Sequence, residues 1–163
     1  MELTFNVGDK AVYPAHGVGE VTGIESRNVG GEKQTFYVLR ILDNGMKVMI
    51  PTGAQGGLRE IMSPEQVNDV FNVLRQKFLS VETTTWNRRY REYMEKIKSG
   101  EPKQIAEVLR DLYLLKNDKD LSFGERKMLD QAKSLLVKEV AIAQDMEEEE
   151  VQAMFESMFR GDN

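Results

Sequence analysis

The chain has 163 residues, of which 40% are apolar and 30% charged, with a formal net charge of −5 and no cysteine. Such a composition is typical of a globular protein with one ordinary domain or two small ones. The lack of cysteine excludes disulfides and thiolate metal sites and fits a reducing compartment, so we expect a cytoplasmic protein. Neither a signal peptide nor a membrane-spanning run is evident, and no membrane partner is expected. The negative charge disfavours an autonomous, high-affinity DNA-binding protein.

Residues 1–62 have the pattern of a small β domain. Strands are predicted at KAVYP, EVTGIESR, TFYVLRIL and MKVMIP, with glycine-containing turns between them. The pair Asn44-Gly45 gives the strongest hairpin signal, because both residues tolerate the positive φ angles of a type I′ turn. Short strands at close spacing favour a Tudor- or SH3-like barrel of about five strands.

The return strand of that hairpin predicts an exposed apolar patch. Its alternation puts Val48 and Ile50 inside the barrel and Met49 and Pro51 on the outer face. Beside Val38 or Leu39, these outer residues would form a docking surface at a strand edge. The alternative, that the second domain covers the patch, stays open.

From Ser63 onward the pattern is helical, and residues 63–163 predict a compact bundle of about five helices. Capping boxes at Ser63 and Ser122 and a proline at Pro102 indicate three helix starts. Asp145 is expected to cap the last helix, whose acidic residues are interpreted as a solvated face. The predicted fold class is therefore α+β, with domains at residues 1–62 and 63–163.

The segment TTTWNRRYREYMEKIK, residues 83–98, is a basic island in an acidic chain. It holds Trp86, the only tryptophan, with five basic residues and two acidic ones. Thr85 is expected to cap its helix, which would put Trp86 at the first helical position. The residues at helical spacing that predict its buried face are Trp86, Tyr90, Tyr93, Met94 and Ile97.

Two interpretations of this helix compete. In the first, the tryptophan is buried and the outward arginines, Arg88 and Arg91 among them, are simply solvated. In the second, the arginines contact phosphates and the indole at the helix tip contacts a base or a groove wall.

Residue types suited to catalysis are few. His16 falls in a predicted turn, the carboxylates are scattered over helix faces, and no glycine cluster matches a phosphate-binding loop. We therefore expect no enzyme activity, no cofactor and no metal site. The alternative function is a stand-alone reader of peptides or modified side chains, with an aromatic cage formed by Tyr13, Phe36 and Tyr37.

The combined segments resemble the CarD/CdnL family of bacterial RNA polymerase-binding transcription regulators. VGDKAVYPAHGVGEV is similar to the family's opening strand and turn, and the hairpin ending in MKVMIP to its third and fourth strands. TTWNRRYREYMEKIKSG is similar to its tryptophan-basic segment, and IAEVLRDLYLL and LSFGERKMLDQAKSLLVKEVAIA to its later helices. The extensions of the larger CarD proteins are missing, which favours the short CdnL type.

The resemblance implies a function. The N-terminal domain would bind the RNA polymerase β subunit, and the helical domain would contact promoter DNA at the upstream edge of the transcription bubble. The tryptophan would wedge into the minor groove and stabilise the open complex formed with the primary sigma factor. Docking on polymerase would let a DNA contact that is weak alone take effect. The expected state is a monomer, associated with the nucleoid through polymerase.

The matching positions supply the candidate site residues. The DNA-contacting residues implied by the resemblance are Trp86, Arg88, Arg89, Arg91, Arg126 and Lys127. For the last two, a solvated helix face is an equal alternative. The residues implied for binding the β subunit are Arg27, Val38, Leu39, Met49 and Pro51.

Overall fold

The computed structural model describes residues 4–53, 56–77, 86–118 and 120–160, except for the side chains of residues 86, 87 and 118. The chain divides into two compact units, Met1–Ile61 and Met62–Asn163. The described residues of the first unit form strands and those of the second form helices. This arrangement confirms the predicted α+β class, with a small β domain before a helical bundle.

The first unit is built on one antiparallel sheet. Its described strands are β1 (Lys10–Tyr13), β2 (Gly17–Val29), β3 (Glu32–Ile41), β4 (Lys47–Pro51) and β5 (Arg59–Glu60). The spatial order is β4-β3-β2-β1-β5, so the last strand pairs with the first. A two-residue strand such as β5 is too short to carry an alternating pattern, and the sequence does not locate it.

The core of this unit forms where the strands alternate. Tyr37, Leu39 and Ile41 of β3 and Ile50 of β4 are buried together, as period-two alternation requires. The Tyr37 hydroxyl accepts hydrogen bonds from the backbone N–H groups of Thr4 (3.0 Å) and Phe5 (3.2 Å). Because Tyr37 is a core residue, the predicted aromatic cage of the alternative function loses one of its three walls.

The type I′ turn lies elsewhere than predicted. Gly30 and Gly31 both have positive φ, at 60° and 85°, between the paired residues Val29 and Glu32 of β2 and β3. At the Asn44-Gly45 pair, only Gly45 has a positive φ within the described turn. That loop is instead closed by backbone bonds that join Ile41 to Gly45 and to Met46. The prediction of a type I′ turn at Asn44-Gly45 was therefore wrong.

The second unit contains five helices among its described residues. They are α1 (Pro64–Arg75), α2 (Trp86–Lys98), α3 (Pro102–Asp118), α4 (Phe123–Gln144) and α5 (Glu148–Arg160). Both predicted capping boxes are present, with Ser63 and Ser122 accepting from the backbone N–H groups of Gln66 and Glu125. No helix in the described ranges combines the length and apolarity that a membrane span would need.

The prediction that Asp145 caps the last helix was wrong. Asp145 ends α4 in the left-handed conformation, with φ of 54°, and its N–H bonds back to Ala141 and Ile142 carbonyls. An aspartate tolerates this conformation at a helix C-terminus, as well as serving as an N-cap, so the residue type alone did not decide between the two ends.

Helix α3 is central to this unit, since it packs against α1, α2 and α4. Its apolar residues Ile105, Val108 and Leu112 are buried, but so are the charged residues Arg110 and Asp111. A buried acid also lies on α4, where the Glu139 carboxylate accepts the backbone N–H of Met62 at 2.8 Å. That bond ties the first residue of the helical unit to α4.

Two glycines of β2 differ in the room around them. A Cβ added at Gly19 would lie 2.6 Å from Leu39 Cγ, whereas one at Gly23 would lie 3.8 Å from the nearest atom of Val38. We expect Gly19→Ala to lower the free energy of unfolding by about 1–3 kcal/mol, because overpacking strains a filled core. Gly23→Ala is the matched control and should shift it by less than about 0.5 kcal/mol. Urea unfolding measures both, and equal stabilities would contradict the packing argument.

Candidate functional site

The β unit carries an apolar outer face beside its edge strand β4. Val38 of β3 pairs in register with Met49 of β4, and Phe36 pairs with Pro51. Met49 is 36% exposed and the other three are half-buried, so their side chains lie at the surface while Leu39 and Ile50 point inward. This face, defined by Phe36, Val38, Met49 and Pro51, is the docking surface predicted from the alternation, with Phe36 added to it.

Leu39 does not belong to the docking surface. It is fully buried in the β core, so its side chain is not available to a partner. The physical reason is parity, since neighbouring residues of a strand face opposite sides and Val38 is the outward one. The assignment of Leu39 as a β-subunit contact stays a prediction, and of the two neighbours only Val38 presents its side chain outward.

Arg27 extends the docking surface along β2 toward the hairpin tip. In register, Glu25 lies opposite Phe36, and Arg27 lies two residues farther along, opposite Gln34. Residues two apart on a strand face the same side, so Arg27 lies on the same face as Glu25 and as its cross-strand neighbour Phe36. Its guanidinium is exposed and lies 3.7 Å from the Glu25 carboxylate, an ion pair too solvated to hold it firmly.

In the helical unit, the described part of the basic helix α2 starts at Trp86. The Trp86 side chain and the proposed cap Thr85 lie outside the described residues. Tyr93 and Ile97 are fully buried, which confirms the central part of the predicted stripe. Tyr90, however, is 45% exposed, because α2 packs mainly on the single helix α3 and its contact stripe is narrow.

The exposed side of α2 is positively charged. Arg88 and Arg91 are exposed, as expected for groups that meet phosphates. A shallow groove of about 490 Å³ runs along this side, lined by Tyr90, Arg91, Met94, Glu95 and Lys98. The groove combines cationic groups with an aromatic and a methionine side chain.

Arg89 is not part of that exposed side. Its guanidinium NH2 lies 3.3 Å from Glu125 Oε2, and the two side chains are only 13% and 3% exposed. A guanidinium committed to a buried carboxylate is not available to a phosphate, since breaking the pair would leave a buried charge. The assignment of Arg89 as a DNA contact stays a prediction, and its position on the inner side of α2 weighs against it.

Glu125 serves two helices at once. Its Oε1 accepts the Ser122 N–H at 2.9 Å, which completes the capping box of α4, while its Oε2 accepts from Arg89 of α2. Both oxygens are thus engaged, one by each helix. The carboxylate also lies near the helix N-terminus, where negative charge is favoured. The first turn of α4 is therefore bound to the first turn of α2.

The beginning of α4 adds further exposed groups. Arg126 and Lys127 are exposed, and Phe123 is 73% exposed at the first helical position. Lys127 Nζ lies 5.6 Å from the centre of the Phe123 ring, within cation–π range. Sequence reasoning missed Phe123, although one signal was available: an aromatic directly after the cap Ser122 falls outside the apolar stripe of α4.

Other chemistry finds little support in the described part of the chain. No cluster of three histidine or acidic residues suited to a metal ion occurs there. A cavity of about 680 Å³ at the start of α4 is lined by opposing charges, Lys116 and Arg126 against Asp120 and Asp130, with Leu121 and Leu129. His16 is exposed and stacks on Tyr13, with ring centres 5.0 Å apart.

Two family models match the chain, one for each unit. The CarD-like/TRCF RID domain matches residues 5–62, and the CarD C-terminal domain matches residues 69–156. The chain belongs to the CarD family of transcription regulators. The resemblance drawn from the sequence segments is thereby confirmed, and with it the role of a transcription regulator.

Individual relatives agree with the CarD family. YdeB of Bacillus subtilis (strain 168), which is described as a proposed transcription factor, is 34% identical over 151 residues, covering 91% of this chain and 98% of YdeB. The solved CdnLNt from Myxococcus xanthus is 62% identical, covering 39% of this chain and 92% of that one, with a TM-score of 0.32. The 72-residue N-terminal domain of Myxococcus xanthus CarD, solved by NMR, is 39% identical, covering 37% and 83%, with a TM-score of 0.32.

Two consecutive arginines of this CarD-family chain should behave differently. We expect Arg89→Ala to lower the free energy of unfolding by about 3 kcal/mol, because it leaves the buried Glu125 carboxylate without its guanidinium. Arg88→Ala is the matched control and should change it by less than about 0.5 kcal/mol, since Arg88 is exposed. Urea unfolding measures both. A wild-type stability for Arg89→Ala would return this residue to the list of free cationic groups.

Proposed function

We propose that this transcription regulator binds the β subunit of RNA polymerase through its β unit and contacts promoter DNA through its helical unit. In this way it stabilises the open complex formed with the primary sigma factor. It acts as a monomer in the cytoplasm, joins the nucleoid through polymerase, and catalyses no reaction of its own.

One observation carries the DNA contact. Exposed cationic groups lie near the described N-terminal ends of two helices, Arg88 and Arg91 on α2 and Arg126 and Lys127 on α4, and the Arg89–Glu125 pair joins the two helices there. Positive groups fixed in this way can meet phosphates without first having to be ordered. Trp86, which begins α2, would supply the wedge between unstacked bases.

Exposed Phe123 fits the same role. An aromatic ring beside a lysine offers an apolar face for stacking and a cation for a nearby phosphate. The helical unit would thus present an aromatic side chain at the first position of each of two helices, Trp86 and Phe123. We therefore add Phe123 to the proposed DNA-contacting residues.

The docking surface supports the polymerase contact. It is apolar, it lies beside the edge strand β4 of the described sheet, and exposed Arg27 lies near one end. An edge strand can accept a further strand from a partner while neighbouring side chains supply specificity. The family model that matches these residues covers the same unit, at residues 5–62.

The net charge of −5 fits a DNA contact that depends on polymerase. A protein that bound DNA alone would need enough positive charge to release many counterions. Attachment to polymerase raises the effective concentration of the helical unit at the promoter, so a small number of contacts is enough. Binding to free promoter DNA should accordingly be weak.

The lifetime of a promoter open complex after competitor challenge tests the proposal. We expect the intact protein to lengthen this lifetime with its cognate polymerase and primary sigma factor, and Trp86→Ala to lose the effect while still binding polymerase. Gln104→Ala, which shortens an exposed side chain on α3 of the same unit, is the matched control and should keep most of the effect. An unchanged lifetime with the intact protein would refute the proposed mechanism.

Docking can be tested separately. We expect Met49→Glu to weaken binding to the isolated β subunit by about tenfold or more, because it buries a charge in an apolar contact. Met46→Glu is the control, since it puts the same charge on the loop before β4 at a position even more exposed. Titration calorimetry measures both affinities. Equal losses would indicate a general charge effect rather than a contact at Met49.

A further inference from the structure

Four side chains form a continuous hydrogen-bonded chain through the middle of the helical unit. Asp111 Oδ2 accepts from the Tyr93 hydroxyl at 3.1 Å, and Asp111 Oδ1 accepts from Arg110 Nε at 3.3 Å and NH2 at 3.1 Å. Arg110 NH1 then donates to Gln76 Oε1. The chain therefore runs from α2 through two adjacent residues of α3 to Gln76.

The two ends of this chain lie on opposite sides of one covalent connection. Gln76 is the C-cap of α1, and Tyr93 lies in the second turn of α2. Between them the polypeptide passes through residues 77–85 to Trp86. Two neighbouring residues of α3 thus bind both sides of this connection. Arg110 binds Gln76, where the connection begins, and Asp111 binds Tyr93 of α2, the helix to which it leads.

A further contact strengthens the first of these points. Lys77 Nζ donates to the backbone carbonyls of Met158 and Phe159, in the last turn of α5. Free carbonyls at a helix C-terminus attract cations, so this contact is favourable. On the other side, the Arg89–Glu125 pair lies three residues after Trp86. The connection is therefore flanked by four side-chain contacts. Gln76 and Lys77 make the two on the α1 side, and Arg89 and Tyr93 make the two on the α2 side.

Stability alone does not account for the buried charges. Arg110 and Asp111 are almost completely buried, and removing two charges from water costs several kcal/mol for each ion before their attraction is counted. Well-packed apolar residues at such positions are often as stabilising or more so. Buried ionic groups can instead select one arrangement, because an alternative packing would leave a charge or a donor unsatisfied.

The tyrosine is suited to a permanent role in this chain. Burial raises the pKa of Tyr93 far above its ordinary value, and the Asp111 charge and hydrogen bond raise it further. The hydroxyl therefore stays protonated and remains a donor throughout the physiological pH range.

We propose that Arg110 and Asp111 are positioning residues for Trp86: by binding Gln76 on one side and Tyr93 on the other, they hold α2, the helix that carries Trp86, in one place against α3 and the end of α1. The effect of this positioning on promoter DNA rests on the proposed function, because a tryptophan wedge has to be held at one place relative to the cationic groups. The positioning of Trp86 itself is a property of the free protein, and it can be tested without polymerase.

The single tryptophan makes a direct test possible. Because Trp86 is the only tryptophan, its emission and its quenching by acrylamide report on this residue alone. We expect Tyr93→Phe, which removes the hydroxyl that Asp111 accepts, to change the quenching constant by about twofold, as local anchoring is lost. Tyr113→Phe is the matched control, because it removes a hydroxyl that donates to Glu156 at 2.9 Å elsewhere in the unit. It should leave the quenching unchanged.

The other end is tested with a conservative pair. Gln76→Ala removes the acceptor of Arg110 and should alter the quenching of Trp86 as Tyr93→Phe does. Gln76→Glu keeps an acceptor oxygen and should restore the wild-type value. Melting temperatures are measured alongside. Wild-type quenching in both Tyr93→Phe and Gln76→Ala, or equal changes in Tyr113→Phe, would overturn the proposal.

Open-complex lifetimes separate this inference from the proposed function. If the positioning of Trp86 matters for function, Tyr93→Phe should shorten the open-complex lifetime severalfold at a concentration that saturates polymerase. Tyr113→Phe should leave that lifetime unchanged. Altered quenching without any lifetime effect of the intact protein would refute the proposed function and leave the positioning role standing. A normal lifetime effect in Tyr93→Phe despite altered quenching would overturn the functional part of the inference.

Discussion

The helical unit depends on the burial of α3. Three helices, α1, α2 and α4, pack around it, so little of its surface meets water. Any charged residue in its middle has to be satisfied by protein groups, and the partners of Arg110 and Asp111 include each other, Gln76 and Tyr93. The polar contacts that orient α2 therefore follow from the apolar packing of its neighbour.

The arginines of α2 show how one basic segment is divided between two tasks. Arg88 and Arg91 remain at the surface, while Arg89 turns inward to Glu125, which also completes the cap of α4. Helical spacing produces this division, because successive residues are separated by about 100° around the axis. The Arg89–Glu125 ion pair holds α2 against α4, and it thereby fixes the backbone from which Arg88 and Arg91 extend. A charge pattern that looks uniform in sequence thus contains both an arginine paired inside the unit and arginines exposed at its surface.

Local sequence signals predicted helix starts well. The capping boxes at Ser63 and Ser122 need only residues within one turn, and both were confirmed. Signals shared by several structures were less decisive: Asn44-Gly45 lies in the predicted hairpin but not in a type I′ turn, and Asp145 ends a helix instead of beginning one. The lesson is that a residue tolerant of several conformations does not identify which of them the surrounding chain requires.

Partners distant in sequence were beyond prediction. Arg89 and Glu125 are 36 residues apart, and Tyr93 and Asp111 are 18 apart, so no spacing rule connects them. Leu39 was assigned outward because either of two adjacent residues fitted the patch, and only the register of β3 with β4 decides between them. The outer face of β4 was predictable because a single strand's alternation is a local property.

The bond between Glu139 and the Met62 N–H has a mechanical consequence. A pull on the polypeptide that joins the two units enters the helical unit at Met62, and this residue is attached to α4 before the chain turns into α1. The bond from Glu139 would therefore pass tension to the 22-residue helix α4 first. The opposite end of this helix carries Arg126 and Lys127. Strain on the connection would load the helix that bears these cationic groups before it reached the first helix of the bundle.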